Sequence, residues 1–355
     1  MKKIYIYALY LAVIAAVSGC ARTVEELPNE ANKRYFDAWM SINHPDVKPQ
    51  GLGIYVLESV EGTGEEVKKD GFALVDYVIS DLEGNISSYT AKETAEKLDE
   101  YARTTYYGPK MWLTTDGTLQ AGVLDALVGM KVGGSRKVVI PSWLMSYATY
   151  DSEEKYLSKT TNSASAIYEF TVRDFTTEVN KWEADSLVRF FSNPDVMIDG
   201  RPAKDVFVKN GAAMTMADTV QAGFFYKQIA APESDEAFSK DTTVYINYTG
   251  KLLNGLVFDT TIEKVAKDNG LYSASKTYEP VAIKWGEKYS DITMGSSKSS
   301  VISGFALTLW QMKAMEKGVG IFYSPLGYGY SGSGSSIPAY SPLIFEIELV
   351  AEPED

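Results

Sequence analysis

One histidine, His44, and one cysteine, Cys20, are all that this chain of 355 residues offers to imidazole and thiol chemistry. Without a second thiol there is no intramolecular disulfide. A Ser-His-Asp or Cys-His site would have to use His44, and a His-rich metal site cannot be assembled. His44 precedes Pro45 and reads as a structural residue of a helix-to-loop turn. A pair of catalytic carboxylates is not excluded by these counts. Positive charge is also scarce: 34 Lys and Arg stand against 47 Asp and Glu, a net charge of −13. That balance argues against nucleic acid and anionic membrane surfaces as partners. The glycine- and serine-rich run 327–336 lacks a Gly-Lys-Ser/Thr ending and so is not a phosphate loop. What is present is 45% apolar and 12% aromatic residues, enough to bury cores in two or three domains.

The start of the chain has the order of a secretory segment. Lys2 and Lys3 precede an apolar stretch, residues 4–17, too short for a comfortable membrane span. It ends in Val17-Ser18-Gly19-Cys20, which resembles the lipobox of bacterial lipoproteins. The resemblance implies cleavage before Cys20 and lipidation there, several acyl chains holding a domain where one binds only weakly. The implied location is the cell envelope, with the outer membrane as the expected bilayer and the body of the protein facing the periplasm or the surface.

Self-comparison reveals a duplication. Asn32-Lys33, Asp37 and His44-Pro45-Asp46-Val47 recur, to within one residue of spacing, as Asn180-Lys181, Asp185 and Asn193-Pro194-Asp195-Val196. Both stretches have helical patterning, with Tyr35, Phe36, Trp39 and Ile42 in one and Trp182, Leu187, Phe190 and Phe191 in the other. Pro45 and Pro194 stop them. Each is followed by an aromatic strand start, Gly53-Ile54-Tyr55 and Gly223-Phe224-Phe225-Tyr226. The helices are expected to pack on their own or the neighbouring domain, with a swapped or dimerising helix, and hence a homodimer, as the alternative. Val244, Ile246 and Tyr248 alternate with polar residues, as do Leu343, Phe345, Ile347 and Leu349. Asn254-Gly255 is a two-residue hairpin signal. Residues 305–315 have helical composition. The expected fold class is α+β: two domains, each an antiparallel sheet wrapped over a short helix and preceded by a helical segment. The expected division is a signal segment at 1–20, helical segment 21–50, first domain 51–175, helical linker 176–222 and second domain 223–355.

Residues 244–250, the hairpin and Phe258-Asp259 resemble the first signature of FKBP-type peptidyl-prolyl isomerases. Val301-Ile302-Ser303-Gly304-Phe305, Ser324-Pro325, Tyr328-Gly329, Ile337-Pro338 and residues 343–346 continue the likeness in order. The resemblance implies a pocket of Tyr248, Phe258, Asp259, Val281, Val301, Ile302, Phe305, Tyr328, Ile337 and Phe345, with Tyr248, Asp259 and Tyr328 as the polar, catalytic members. The family usually has Trp where this chain has Phe305, and segments 260–279 and 287–300 are insertions at the pocket rim. The implied partners are proline-containing exported polypeptides. No cofactor and no metal are implied, and the membrane is met only through the lipid.

The first copy resembles the same family with its chemistry eroded. Val75-Asp76-Tyr77 places Tyr77 where Tyr248 lies, Ile86-Ser87 stands for Phe258-Asp259, Val123 takes the floor position and Tyr147 is matched to Tyr328. A domain that keeps the shape and loses the catalysis is expected. The alternative for the whole chain is a non-catalytic scaffold or peptide-binding lipoprotein on the same fold; the 24 tyrosines leave carbohydrate binding as a third reading.

Overall fold

The alternating segments become two antiparallel sheets in the computed structural model, which describes residues 27–160 and 162–353. Cys20 and the segment around it lie outside the described residues. No described helix is long and apolar enough to cross a membrane.

The chain opens with α1 (Glu30–Asn43) and then builds the first sheet from β1 (Tyr55–Val60), β2 (Phe72–Ser80), β3 (Ile86–Tyr89), β4 (Lys110–Leu113), β5 (Ser135–Ile140) and β6 (Ala166–Thr176). Its order is β1-β5-β6-β2-β3, with β4 also on β2. Between these strands lie α2 (Lys92–Lys97), α3 (Ala121–Leu127) and α4 (Glu153–Leu157). Next comes α5 (Val179–Ser192). The short hairpins β7 (Met197–Ile198) with β8 (Arg201–Pro202) and β9 (Val208–Lys209) with β10 (Ala212–Ala213) flank α6 (Ala203–Val206). Segment 176–222 is therefore only partly helical; the helix stops at Ser192, just before Pro194.

The second sheet contains β11 (Phe224–Ala230), β12 (Thr243–Leu252), β13 (Val257–Thr260), β14 (Val281–Lys284), β15 (Thr293–Met294), β16 (Ser299–Ser300), β17 (Lys317–Phe322) and β18 (Leu343–Val350). It runs β11-β17-β18-β12-β14-β15-β16, with β13 also on β12. Its helices are α7 (Glu263–Asp268) and α8 (Ser303–Gln311). The first sheet has the same order once β11, β17, β18, β12, β13 and β14 are set against β1, β5, β6, β2, β3 and β4. Only the β15–β16 hairpin, formed by insertion 287–300, is new.

The correspondence extends to side chains. The Tyr77 amide donates to Thr90 Oγ1 at 3.0 Å, and the Tyr248 amide to Thr261 Oγ1 at 2.9 Å. Gly122 in α3 and Gly304 in α8 occupy the same point: an added Cβ would lie 2.4 Å from Ile140 Cγ2 in one and 2.3 Å from Phe322 Cδ2 in the other. Each helix can approach its sheet that closely only without a side chain there.

The repeated helical segments cover the sheets' other faces. On α1, Phe36 and Met40 are buried, Phe36 lying 5.4 Å from the Tyr55 ring and 5.3 Å from Trp143. Tyr35 and Ile42, expected on the packed face, are exposed, because the buried stripe follows the i, i+4 pair Phe36 and Met40. On α5, Leu187, Phe190 and Phe191 pack with Phe207 against Phe225, Val319, Ile321 and Ile344 of the second sheet. The shared Lys and Asp of the two segments are an i, i+4 ion pair in each copy, Lys33–Asp37 and Lys181–Asp185, both 3.0 Å. His44 lies 5.4 Å from the Trp39 ring.

Candidate functional site

In the second domain Phe258, Phe305, Phe345 and Tyr248 come together from β13, α8, β18 and β12. Phe305 and Phe345 meet edge to face at 5.0 Å, Tyr248 and Phe305 at 5.4 Å, and Phe258 and Phe345 at 5.6 Å. These geometries suit the aromatic quadrupole and leave a continuous apolar surface. Ile337 belongs to the same cluster, and Val281, Val301 and Ile302 pack against it. Gly250 makes room beneath: its Cβ would stand 2.5 Å from Phe258 Cε2 and 3.0 Å from Phe345 Cε1. Phe305 itself is almost fully buried, so its ring is floor rather than wall.

The polar members sit at the rim. The Tyr248 hydroxyl donates to Asp259 Oδ2 at 2.5 Å, and the Thr260 amide donates to Asp259 Oδ1 at 2.9 Å. Burial, and then the Asp259 charge, hold the Tyr248 hydroxyl far above the ordinary tyrosine range, so it stays protonated and remains a donor. Burial and the same carboxylate also push Tyr328 up. Among the described residues the Tyr328 hydroxyl has no hydrogen-bond partner; the side chain is partly exposed and lies within electrostatic reach of Tyr248 and Asp259.

Lys276, which sequence reasoning passed over, comes from the first rim insertion. Its Nζ lies 2.7 Å from Asp259 Oδ1. Both side chains are roughly two-fifths exposed, so the pair contributes little stability and chiefly orients the carboxylate. The insertion is itself duplicated. α2 with Tyr101 and Tyr107 matches α7 with Tyr272 and Tyr278; each tyrosine pair stacks at 5.6 Å. Tyr107 Oη accepts the Ala102 amide at 3.1 Å, and Tyr278 Oη accepts the Ser273 amide at 3.0 Å. The available signal was the recurrence of Thr, Tyr, Tyr and Pro at identical intervals, Thr90, Tyr101, Tyr107 and Pro109 against Thr261, Tyr272, Tyr278 and Pro280.

The register of the first domain corrects two matches. Val78 pairs with Tyr89 and Ile79 with Ser88, as Thr249 pairs with Thr260 and Gly250 with Asp259. Ser87-Ser88, not Ile86-Ser87, therefore stands at the place of Phe258-Asp259; Ile86 corresponds to Val257. Counting on from β5 and β17 puts Ser146 rather than Tyr147 level with Tyr328. Ile79 fills the position that Gly250 leaves empty, Tyr168 replaces Phe345 and Val123 replaces Phe305. The first copy thus has neither the ring nor the acid at its rim. Its mouth opens into a cleft of about 570 Å³ that Ser87, Ser88 and Trp112 share with Ser335 and Pro338 of the second domain.

The family model for the FKBP-type peptidyl-prolyl cis-trans isomerase matches residues 234–350. FK506-binding protein 2 of Yarrowia lipolytica is 30% identical over 129 residues, which cover 36% of this chain and 73% of that protein. The chain belongs to the FKBP-type isomerase family. A probable FKBP-type peptidyl-prolyl cis-trans isomerase of Haemophilus influenzae is 33% identical over 132 residues, 37% of this chain and 44% of the relative. The macrophage infectivity potentiator of Trypanosoma cruzi is 27% identical over 146 residues, 41% of this chain and 61% of that protein. The chain thus spans about half the length of these last two relatives. The region matched to the FKBP model contains Tyr248, the phenylalanine cluster, Asp259, Lys276 and Tyr328.

Proposed function

We propose that the second domain is a prolyl cis-trans isomerase that acts on exported polypeptides. The observation that carries this reading is the aromatic cluster of Tyr248, Phe258, Phe305 and Phe345, with a Tyr328 hydroxyl near Tyr248 and Asp259 that has no hydrogen-bond partner among the described residues. An X-Pro bond resists rotation because amide resonance must be lost, a barrier of roughly 18–20 kcal/mol. Neither a nucleophile nor a proton shuttle is needed to lower it. An apolar floor removes water from the amide and so favours the twisted, less polar form. The Tyr328 hydroxyl donates to a substrate carbonyl and holds the chain in register. Tyr248 and Lys276 fix Asp259 at the rim, where its carboxylate accepts from the substrate backbone.

The clients would be proline-containing polypeptides outside the cytoplasm, reached from a lipid anchor at Cys20 in the cell envelope. The support for that address is the order Lys2-Lys3, the apolar stretch 4–17 and Val17-Ser18-Gly19-Cys20. A homodimer would meet through Tyr35 and Ile42, both exposed on α1. The first domain, with Ser87-Ser88 at its rim, serves as a structural partner.

A protease-coupled prolyl-peptide assay on the full chain tests the activity. Catalysed exchange above the buffer rate is expected; a rate equal to buffer leaves the scaffold reading standing instead.

A further inference from the structure

The rim segment 324–341 carries two pocket groups, Tyr328 and Ile337, yet it contains three glycines with left-handed φ, Gly329 at 57°, Gly332 at 62° and Gly334 at 55°. Its internal backbone bonds are the Gly327 and Gly329 amides to Ser324 O, the Gly332 amide to Tyr328 O, the Tyr340 amide to Gly329 O, and the reciprocal pair between Ser333 and Ile337; none reaches residues 334–336. Glycines make such a segment entropically costly to hold in one form.

Residues outside the second domain hold it at three points. At its start, Glu183 of α5, fully buried, accepts the Ser324 amide at 2.6 Å and the Ser324 hydroxyl at 2.7 Å. At its middle, the Tyr106 amide of the first domain's insertion donates to Ser335 O at 2.9 Å, and the Tyr106 ring packs on the second core. The Tyr106 hydroxyl is tied back to Pro109 O at 3.1 Å, so the ring is fixed on its own loop. At its end, Tyr340 meets the edge of Phe72 at 5.3 Å. The other rim insertion is touched too: Arg103 Nη1 donates to Asp268 O at 3.4 Å in the segment leading to Lys276.

We infer that the first domain and α5 position the catalytic rim of the second domain, with Tyr106, Phe72 and Glu183 as positioning residues that act through Tyr328 and Ile337. This rests on the isomerase reading for its kinetic consequence alone; the ordering of the rim stands apart from it. The duplication then has a use, since the copy without a working pocket keeps the other copy's pocket in shape.

The test compares the full chain with its Tyr106→Ala, Tyr106→Phe and Glu183→Gln variants by amide hydrogen exchange and by isomerisation kinetics. In Tyr106→Ala, exchange at residues 329–339 should rise while exchange in α8 and the melting temperature stay near those of the parent. Its kcat/KM should fall about tenfold, because small misplacements of positioning groups are costly. Tyr106→Phe, which keeps the packing, should restore both. Glu183→Gln gives a second reading of the same segment should Tyr106→Ala fold poorly. Rim exchange unchanged in both Tyr106→Ala and Glu183→Gln would overturn the inference. An unaltered chain without activity would instead refute the isomerase reading and leave the exchange result to decide the positioning.

Discussion

The two domains share strand order, the pairing register around the pocket, a helix-to-sheet glycine and even a tyrosine-paired insertion, yet differ at the few positions that make a pocket. At those positions the second domain has Gly250, Phe258, Asp259, Phe305 and Phe345, and the first has Ile79, Ser87, Ser88, Val123 and Tyr168. The changes are coupled. Gly250 exists to admit the Phe258 and Phe345 rings, and where the first ring is gone the glycine is gone as well. Apolar size and pattern suffice for the shared fold; a pocket needs particular atoms, and those can be lost without cost to the sheet.

The comparison can be broken first at the floor. Phe305→Ala should destabilise the second domain by about 3–5 kcal/mol, as expected for a buried phenylalanine, and abolish isomerisation. Val123→Ala in the first copy should cost less, because it removes fewer buried atoms, and should leave catalysis in place; urea unfolding and the peptide assay read both. Gly122→Ala and Gly304→Ala test the shared architecture. Each added methyl overlaps a side chain in the facing sheet, so each should cost about 1–3 kcal/mol by overpacking. A neutral outcome in one copy alone would show that the helices do not dock alike. Tyr328→Phe should lower kcat/KM about tenfold, the loss of one oriented hydrogen bond, with stability unchanged.

The smallest effect is one of pH. Burial pushes the Glu183 carboxyl above its ordinary value of 4.5, although both Ser324 hydrogen bonds pull it back. A carboxyl with a raised folded pKa binds its proton more readily folded than unfolded. This group's contribution therefore favours folding below 4.5 and declines as pH climbs from 4.5 through the raised value. Subtracting urea-unfolding profiles of Glu183→Gln from those of the parent isolates that decline; a difference that does not vary with pH would remove it.

Much of this was legible beforehand. The alternation in β12 and β18 follows from a local rule that the structure obeys. The hairpin at Asn254-Gly255 forms, but with a three-residue loop instead of two: the Leu252 amide donates to Leu256 O around residues 253–255, and only Gly255, with a φ of 87°, is left-handed. The central helix was expected over 305–315 and runs from Ser303 to Gln311, ending before Met312, whose backbone is extended. The insertion helices α2 and α7 escaped notice because six residues are too few for a helical period to declare itself. The Ser87-Ser88 match was off by one because only ladder hydrogen bonds fix strand register. Lys276 at Asp259, and the hold of Tyr106, Phe72 and Glu183 on the rim, join residues distant in sequence, and no local pattern announces such contacts.

The central claim is that catalysis belongs to the second domain and that Phe258 and Asp259 separate it from its silent copy. The most direct measurement is the prolyl isomerisation rate of the full chain carrying Phe258→Ser and Asp259→Ser together, which gives the second domain the first domain's rim. The account predicts a rate no faster than buffer from a chain that melts as a folded protein; a rate equal to that of the unaltered chain would contradict it.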